Sequence, residues 1–156
     1  IFSKIGEKRP DLRLVLVGKI DYFYAQVKKF AETSECSEKI IFPGYVKDED
    51  LAIFYRQAEA YIFTSLYEGF GLPPLEAMAQ NCPAISTDKA CMPEILGEAA
   101  YYFNPENENE ASEKILEVIN DKNLQNQLIL KGQKQIAKYS WNKCAHEISE
   151  LYNRFI

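Results

Sequence analysis

The sequence predicts an α/β domain built on a doubly wound parallel sheet. Short apolar runs without polar alternation mark the expected strands, at residues 12–17, 39–42, 60–64, 83–86 and 100–103. Continuous apolar strands separated by helices are typical of a parallel sheet covered on both faces. Beyond residue 106 the periodicity is helical throughout, so a helical tail follows the sheet.

The expected helices show three- and four-residue apolar spacing. They cover residues 1–8, 21–31, 48–57, 74–80, 93–96, 106–121, 124–138 and 140–155. In the third of these helices, Leu51, Phe54 and Tyr55 are expected to face inward. The last helix carries an amphipathic stripe, for which Ser140 is the expected N-cap. The pattern by itself favours core packing for most of that stripe.

Length and charge limit the possible functions. The 156 residues suit one domain, residues 1–156, that is large enough to bury a core. A net charge of −5 argues against a nucleic-acid surface, which needs clustered Lys and Arg. No apolar run approaches the roughly 18 residues of a membrane span, and no signal peptide is visible. We therefore expect a soluble, cytoplasmic domain.

Cysteine and histidine are too scattered to indicate a metal centre. Cys36, Cys82, Cys91 and Cys144 form no C-x-x-C pair, and His146 is the single histidine in the sequence. We expect neither a zinc site nor a disulfide framework, and we interpret the thiols as buried or incidental. No D-x-D motif or other Mg²⁺ ligand cluster is present, so no metal cofactor is expected.

The segment 68–78 reads Glu-Gly-Phe-Gly-Leu-Pro-Pro-Leu-Glu-Ala-Met and joins a glycine-bearing loop to a helix. The loop follows a buried strand, and ligands of open α/β sheets bind at the carboxyl ends of strands. Gly69 and Gly71 let the backbone approach a ligand closely, and Pro73 and Pro74 suit a first helical turn. The N–H groups at such a helix start favour an anion, for example a diphosphate.

Two carboxylates, Glu68 and Glu76, bracket this loop. Since carboxylates are poor phosphate ligands, we expect them to accept hydrogen bonds from hydroxyl groups. A ligand with a diphosphate and many hydroxyls is a nucleotide sugar. Each residue alone has a plainer explanation: Glu76 as a helix-capping acid, Glu68 as a solvated loop residue, and the glycines as turn residues.

The separation of Glu68 and Glu76 resembles the E-x7-E signature of retaining glycosyltransferases with the GT-B fold. That group 1, or family 4, class includes many bacterial mannosyl- and glucosyltransferases. The resemblance covers effectively the whole chain, with further landmarks in family order at residues 41–46, 77–79, 83–85, 93–95 and 139–141. It implies the carboxyl-terminal, donor-binding half of a GT-B enzyme, with a Rossmann-like sheet and a helical tail.

The same resemblance implies roles for individual residues. Glu76 would hold the ribose hydroxyls of the donor nucleotide. Glu68 would lie near the transferred sugar as the catalytic carboxylate, without acting as a nucleophile. Backbone contacts to the sugar and the diphosphate would come from Gly69, Phe70, Gly71 and Leu72. Tyr45 and Val46 would line the base pocket, with an ordinary turn at Gly44 as the alternative.

The implied reaction transfers a hexose from a nucleoside diphosphate sugar to an acceptor hydroxyl, with retention at the anomeric carbon. GDP-mannose is the first expectation for the donor, and UDP-hexoses come next. Preorganised amide dipoles can stabilise the leaving diphosphate without a metal. The donor is thus a substrate, and no separate cofactor is expected.

Several departures from the family pattern matter for activity. Relatives carry an Arg and a Lys on a loop after the first strand of this domain, and this chain begins later. The amino-terminal acceptor domain is also absent, so we expect the isolated domain to be inactive and any membrane association to depend on the missing half. Thr64 stands where many relatives have proline. Because the last GT-B helix packs partly on the other domain, Trp141, Tyr152 and Phe155 are candidates for unusual exposure.

Three alternatives remain open. A stand-alone nucleotide- or nucleotide-sugar-binding regulatory module would need no acceptor domain. A flavodoxin-like or response-regulator domain would share the sheet, but it should carry an acidic cluster after an early strand or a flavin-phosphate loop, and neither is visible. Sugar phosphorylases and glycogen-synthase-like enzymes share the fold, although the local match is to the transferases.

Overall fold

The computed structural model describes residues 1–155 and shows the expected alternation of strands and helices. The strands are β1 (Leu14–Val17), β2 (Ile40–Gly44), β3 (Tyr61–Phe63), β4 (Ala84–Thr87) and β5 (Ala100–Phe103). The helices are α1 (Phe2–Lys8), α2 (Tyr22–Glu32), α3 (Asp48–Gln57), α4 (Leu72–Ala79), α5 (Met92–Leu96), α6 (Glu108–Asn120), α7 (Lys122–Ile136) and α8 (Trp141–Asn153). The observed bounds of α3 are those that the sequence predicts.

All five strands pair in parallel, but their hydrogen bonds form two sheets. β1 pairs with β2, with Leu14 opposite Ile40. In the other sheet β4 lies between β3 and β5, and its Ile85 is opposite Ile62 on one side and Tyr101 on the other. Within residues 1–155, β1 and β3 are not paired with each other.

The two sheets differ in how much of their surface is covered. Every residue of β4 is buried, as expected for a strand with helices on both faces. On β1 and β2 alternate side chains are exposed, among them Val15, Val17 and Ile41. The expectation of cover on both faces is therefore wrong for β1 and β2. Their sequences do not reveal this, because the exposed positions are as apolar as the half-buried ones.

The main core lies between the three-stranded sheet and helices α1 and α6. Ile5 of α1 packs in one cluster with Ile85 of β4, Phe103 of β5 and Ile115 of α6. A second cluster joins α4 and α5 through Met78, Met92 and Leu96. Helix α1 thus fixes the amino-terminal segment to the sheet that positions the loop after β3.

Side-chain caps account for the starts of several helices. The carboxylate of Asp21 accepts the Tyr24 N–H at 2.9 Å, and that of Asp121 accepts the Leu124 N–H at 3.0 Å. Ser140 accepts the Lys143 N–H at 3.4 Å, so the predicted cap of α8 is confirmed.

Two predictions of side-chain packing are wrong. Tyr55 is 8% exposed, but Phe54, expected to face inward beside it, is 38% exposed. None of the residues of α8 is buried, which contradicts core packing of its apolar stripe. The expected exposure of Trp141, Tyr152 and Phe155 is confirmed, and Trp141 is 79% exposed. Apolar periodicity indicates that a helix is amphipathic, but it does not indicate which part of the protein covers its apolar face.

The remaining sequence features are unremarkable in the structure. All four cysteines are free, with Cys36 and Cys82 buried and Cys144 exposed. His146 is exposed, and its Nε2 lies 3.5 Å from the carboxylate of Glu150. Across residues 1–155, no helix combines the length and apolar character that crossing a membrane requires.

The contribution of α1 to the core can be tested with Ile5→Ala. Ile5 is 2% exposed, so the substitution should lower the free energy of unfolding by about 2–5 kcal/mol. Ile20→Ala is the matched control, because Ile20 is 73% exposed and its truncation should cost less than about 0.5 kcal/mol. Urea unfolding measures both. Equal losses in the two variants would show that α1 does not pack as described.

Candidate functional site

The loop between β3 and α4, residues 64–71, is named here the Glu68 loop. It begins at the carboxyl end of β3, beside the carboxyl end of β4, because the two strands are parallel. The Thr87 hydroxyl at the end of β4 donates to the Ser65 carbonyl at 2.7 Å. The Cys91 thiol, just before α5, donates to the Glu68 carbonyl at 3.2 Å. Two side chains from the β4 connection thus hold the backbone of the loop.

Gly71 ends the loop in the left-handed region, with φ of +87°, and is the N-cap of α4. An added β-carbon there would overlap Cε of Met92, which is fully buried. Gly69 has open space around the equivalent position. The two glycines of the motif therefore differ in function: Gly71 is required by backbone geometry and packing, whereas Gly69 keeps the loop surface open.

Phe70 anchors the exposed side of the loop to the end of α7. Its ring meets the Tyr139 ring edge to face, with centroids 5.4 Å apart. The Tyr139 hydroxyl in turn donates to the Ile95 carbonyl at 2.8 Å. These contacts connect the loop to α5 and to Tyr139, which immediately precedes Ser140, the N-cap of α8.

The loop presents backbone donors that the protein does not use. Among residues 1–155, no backbone acceptor receives the N–H groups of Gly69, Phe70, Gly71 or Leu72. Pro73 and Pro74 stand in the first turn of α4, as predicted, and they remove two of the donors that a helix start usually offers. An anion at this helix would therefore be bound mainly by the amides of the loop.

Glu76 lies on α4 and is exposed in a cleft of 310 Å³ between α3 and α4, named here the Glu76 cleft. Because α4 begins at Leu72, Glu76 falls in the second helical turn, and no acidic residue occupies the first. This weakens the alternative explanation of Glu76 as a helix-capping acid. The Tyr55 hydroxyl, from α3, donates to Oε2 of Glu76 at 3.4 Å.

Glu68 is half-buried in the loop, and both carboxylates influence one tyrosine. Burial raises the pKa of Tyr61 on β3, and the charges of Tyr55, Glu76, Cys82 and Glu68 raise it further. Burial also raises the pKa of Tyr55, with Glu76 as the next cause. Tyr55 thus remains a protonated hydrogen-bond donor to Glu76 at neutral pH.

Tyr45 and Val46 do not line the Glu76 cleft. They line a second cleft of 490 Å³ together with Lys47, Asp50, Ile53 and Phe54, named here the Tyr45 cleft. The Glu76 cleft includes Asp48 at the start of α3. Helix α3 therefore contributes to both clefts, and the predicted base-pocket residues and the predicted ribose ligand line different ones.

Sequence reasoning did not identify two residues of the site, Tyr55 and Cys91. Tyr55 was assigned only to the inward face of α3, and Cys91 to the incidental thiols. Their partners lie 21 and 23 residues away in the chain, so no local pattern could indicate the contacts. No group of three or more His, Cys, Asp or Glu side chains within residues 1–155 is arranged to hold a metal ion.

The family model described as "Glycosyl transferases group 1" matches residues 1–135. This match covers most of the chain and includes the Glu68 loop, α4 and both clefts. The chain belongs to the group 1 glycosyltransferase family. The family resemblance predicted from the sequence is therefore confirmed.

Curated relatives of this glycosyltransferase domain include mannosyltransferases. O-antigen chain mannosyltransferase B of Escherichia coli is 34% identical over 113 residues, which are 72% of this chain and 30% of that protein. The serotype-specific mannosyltransferase WbdA of Escherichia coli is 31% identical over 132 residues, which are 84% of this chain and 16% of that protein. The chain thus spans less than a third of the length of either relative.

Solved structures confirm the fold of this group 1 domain. The carboxyl-terminal domain of the group 1 protein LpcC from Francisella tularensis matches with a TM-score of 0.72 and 26% identity, over 88% of this chain and 76% of that one. Sucrose-phosphate synthase from Thermosynechococcus elongatus matches with a TM-score of 0.82 and 23% identity, over 92% of this chain and 38% of that one. The predicted carboxyl-terminal half of a GT-B fold is confirmed.

The different functions of the two motif glycines can be tested by substitution. Gly71→Ala should lower the free energy of unfolding by about 1–3 kcal/mol, because alanine is strained at positive φ and its methyl group would overlap Met92. Gly69→Ala, the matched control, should change it by less than about 0.5 kcal/mol. Thermal and urea unfolding of both variants provide the measurement. A tolerated alanine at position 71 would contradict the described cap.

Proposed function

We propose that this domain binds the nucleoside diphosphate sugar donor of a retaining hexosyltransferase. The complete enzyme would move a hexose from GDP-mannose or a UDP-hexose to an acceptor hydroxyl. The observation that carries the proposal is the row of unused amides from Gly69 to Leu72, which lies one helical turn before Glu76 and its open cleft. The mannosyltransferase relatives support mannose as the transferred sugar and polysaccharide synthesis as the process.

The charge distribution supports the Glu68 loop as the diphosphate site. Helix α3 begins with Asp48, Glu49 and Asp50, whose carboxylates would repel a phosphate from its amino terminus. Helix α4 carries no acid in its first turn. The positive end of its dipole and the loop amides form the favourable environment for an anion, and they would stabilise charge on the leaving diphosphate without a metal.

The carboxylates would serve the hydroxyl groups of the donor. Glu76, exposed on α4 one turn after the loop, would accept hydrogen bonds from the ribose, and Glu68 would lie near the transferred sugar. In this proposal Glu68 is not a nucleophile. The acceptor hydroxyl would attack on the face from which the diphosphate leaves, guided by the leaving phosphate. Attack on this face would retain the anomeric configuration. Tyr45 and Val46 would provide the wall for the base.

The rest of the enzyme would supply what this domain lacks. An amino-terminal acceptor domain would form the other wall of the cleft, and the exposed stripe of α8 would contact it. The Arg and Lys expected for the diphosphate would come from the segment that precedes residue 1. We propose a cytoplasmic location, with any membrane association provided by the acceptor domain.

Nucleotide binding is the direct test of the donor site. The chain, titrated with GDP, UDP, ADP and their hexose conjugates by NMR, should bind one base preferentially. Glu76→Ala should weaken that binding by about 10- to 100-fold, because hydrogen bonds to a charged group contribute on the order of 1.5–3 kcal/mol. Glu113→Ala, an exposed acid on α6, is the matched control and should leave affinity unchanged.

Two outcomes of this titration would contradict the proposal. One is equal affinity for nucleotides in the parent chain and the Glu76→Ala variant. The other is that neither this chain nor a chain extended at its amino end binds any of the nucleotides. Binding by the extended chain alone would instead support the contribution of the missing Arg and Lys.

Catalysis should require the second domain. We expect no hexose transfer from any of these donors by the isolated chain, because the acceptor wall is missing. In a chain that carries both domains, the product should keep the anomeric configuration of the donor, as read from the proton coupling of the anomeric carbon by NMR. Transfer by the isolated chain, or an inverted product from the longer one, would contradict the assigned division of roles.

A further inference from the structure

A single hydrogen bond links the last turn of α3 to the carboxylate in the Glu76 cleft. The Tyr55 hydroxyl donates to Oε2 of Glu76, and within residues 1–155 no other side chain hydrogen-bonds this glutamate. One acceptor site of Oε2 is thereby engaged by the protein, and the remaining sites of the carboxylate are left for a ligand. Both residues line the same cleft.

Tyr55 is a fixed donor rather than a mobile one. Its ring is 8% exposed and packs in a cluster with Ala77 and Cys82. The ring of Tyr61 meets it edge to face, with centroids 5.3 Å apart. Burial, and next the charge of Glu76, raise the pKa of Tyr55, so the hydroxyl keeps the proton that it donates.

Glu76 itself lacks such restraint. It is exposed on α4, and a free glutamate side chain at such a position samples several rotamers. Two adjacent ribose hydroxyls require a carboxylate in one orientation, and fixing that orientation at the moment of binding costs affinity. A donor that holds the carboxylate beforehand reduces this loss.

We infer that Tyr55 is a positioning residue that orients the Glu76 carboxylate for the two ribose hydroxyls of a nucleotide. The inference rests on the proposed function, because it assigns the partner of the same carboxylate. Tyr55 would not touch the nucleotide. It would act through Glu76, and its removal would weaken binding only of ligands that use this carboxylate.

The test compares Tyr55→Phe with Tyr61→Phe. The first variant keeps the buried ring and removes the donor. The second removes the hydroxyl of the neighbouring ring, which does not hydrogen-bond Glu76. Each is titrated by NMR with the preferred nucleoside diphosphate and with the 2′,3′-dideoxy form of the same nucleotide. Amide spectra and thermal unfolding of each variant confirm that the fold is kept.

Tyr55→Phe should weaken binding of the ribonucleotide by about threefold to tenfold and leave binding of the dideoxy form unchanged. Tyr61→Phe should affect neither ligand. The double variant Tyr55→Phe with Glu76→Ala should bind no more weakly than Glu76→Ala alone, since the tyrosine acts only through that carboxylate. Without ligand, the side-chain carboxyl ¹³C resonance of Glu76 should shift in Tyr55→Phe and not in Tyr61→Phe.

The outcomes separate this inference from the proposed function. If Glu76→Ala weakens binding of the ribonucleotide and Tyr55→Phe does not, the positioning role is wrong and the donor-site proposal is retained. Equal weakening of both ligands by Tyr55→Phe, or an unmoved Glu76 resonance, would also overturn it. If Glu76→Ala has no effect on either ligand, both the donor site and the positioning role are wrong.

Discussion

The close approach of Met92 to Gly71 is the constraint on which the candidate site of this domain depends. Gly71 turns the chain from the Glu68 loop into α4 through a left-handed conformation that glycine adopts without strain. Met92 fills the space that any side chain at this position would need, and it belongs to the buried cluster that joins α4 and α5. Core packing therefore fixes where the loop ends and α4 begins.

The site divides two kinds of recognition between backbone and side chains. Unused amides at the start of α4 suit an anion, whereas the carboxylates of Glu68 and Glu76 suit hydroxyl groups. With a net charge of −5, the domain cannot attract a phosphorylated ligand by its overall charge. In the proposed function, recognition of a diphosphate would come from short-range dipoles, and these depend on hydrogen bonds such as those of Thr87 and Cys91 to keep the loop backbone in place.

Much of the local structure could be predicted from sequence because its causes are local. The bounds of α3, the cap at Ser140 and the prolines in the first turn of α4 follow from residues a few positions apart. The errors concern what covers an apolar surface, as with Phe54 and the stripe of α8. The roles of Tyr55 and Cys91 were missed for the same reason, since both depend on partners brought together only by the fold. The family resemblance identified the site segment, but it could not indicate that Tyr45 and Glu76 line separate clefts.

The division of the strands into two sheets has a consequence for how the chain behaves in solution. In the part of the chain that the structure describes, residues 1–155, β1 is paired only with β2, and β3 only with β4, so each of β1 and β3 presents one row of main-chain groups without a strand beside it. Such edges are templates for intermolecular pairing, and natural proteins usually cover or charge them. The apolar side chains of Val15 and Val17 offer no charge to deter it. We therefore expect concentrated solutions of the isolated chain to be prone to edge-to-edge association, and one parallel strand hydrogen-bonded to both β1 and β3 would remove these two edges.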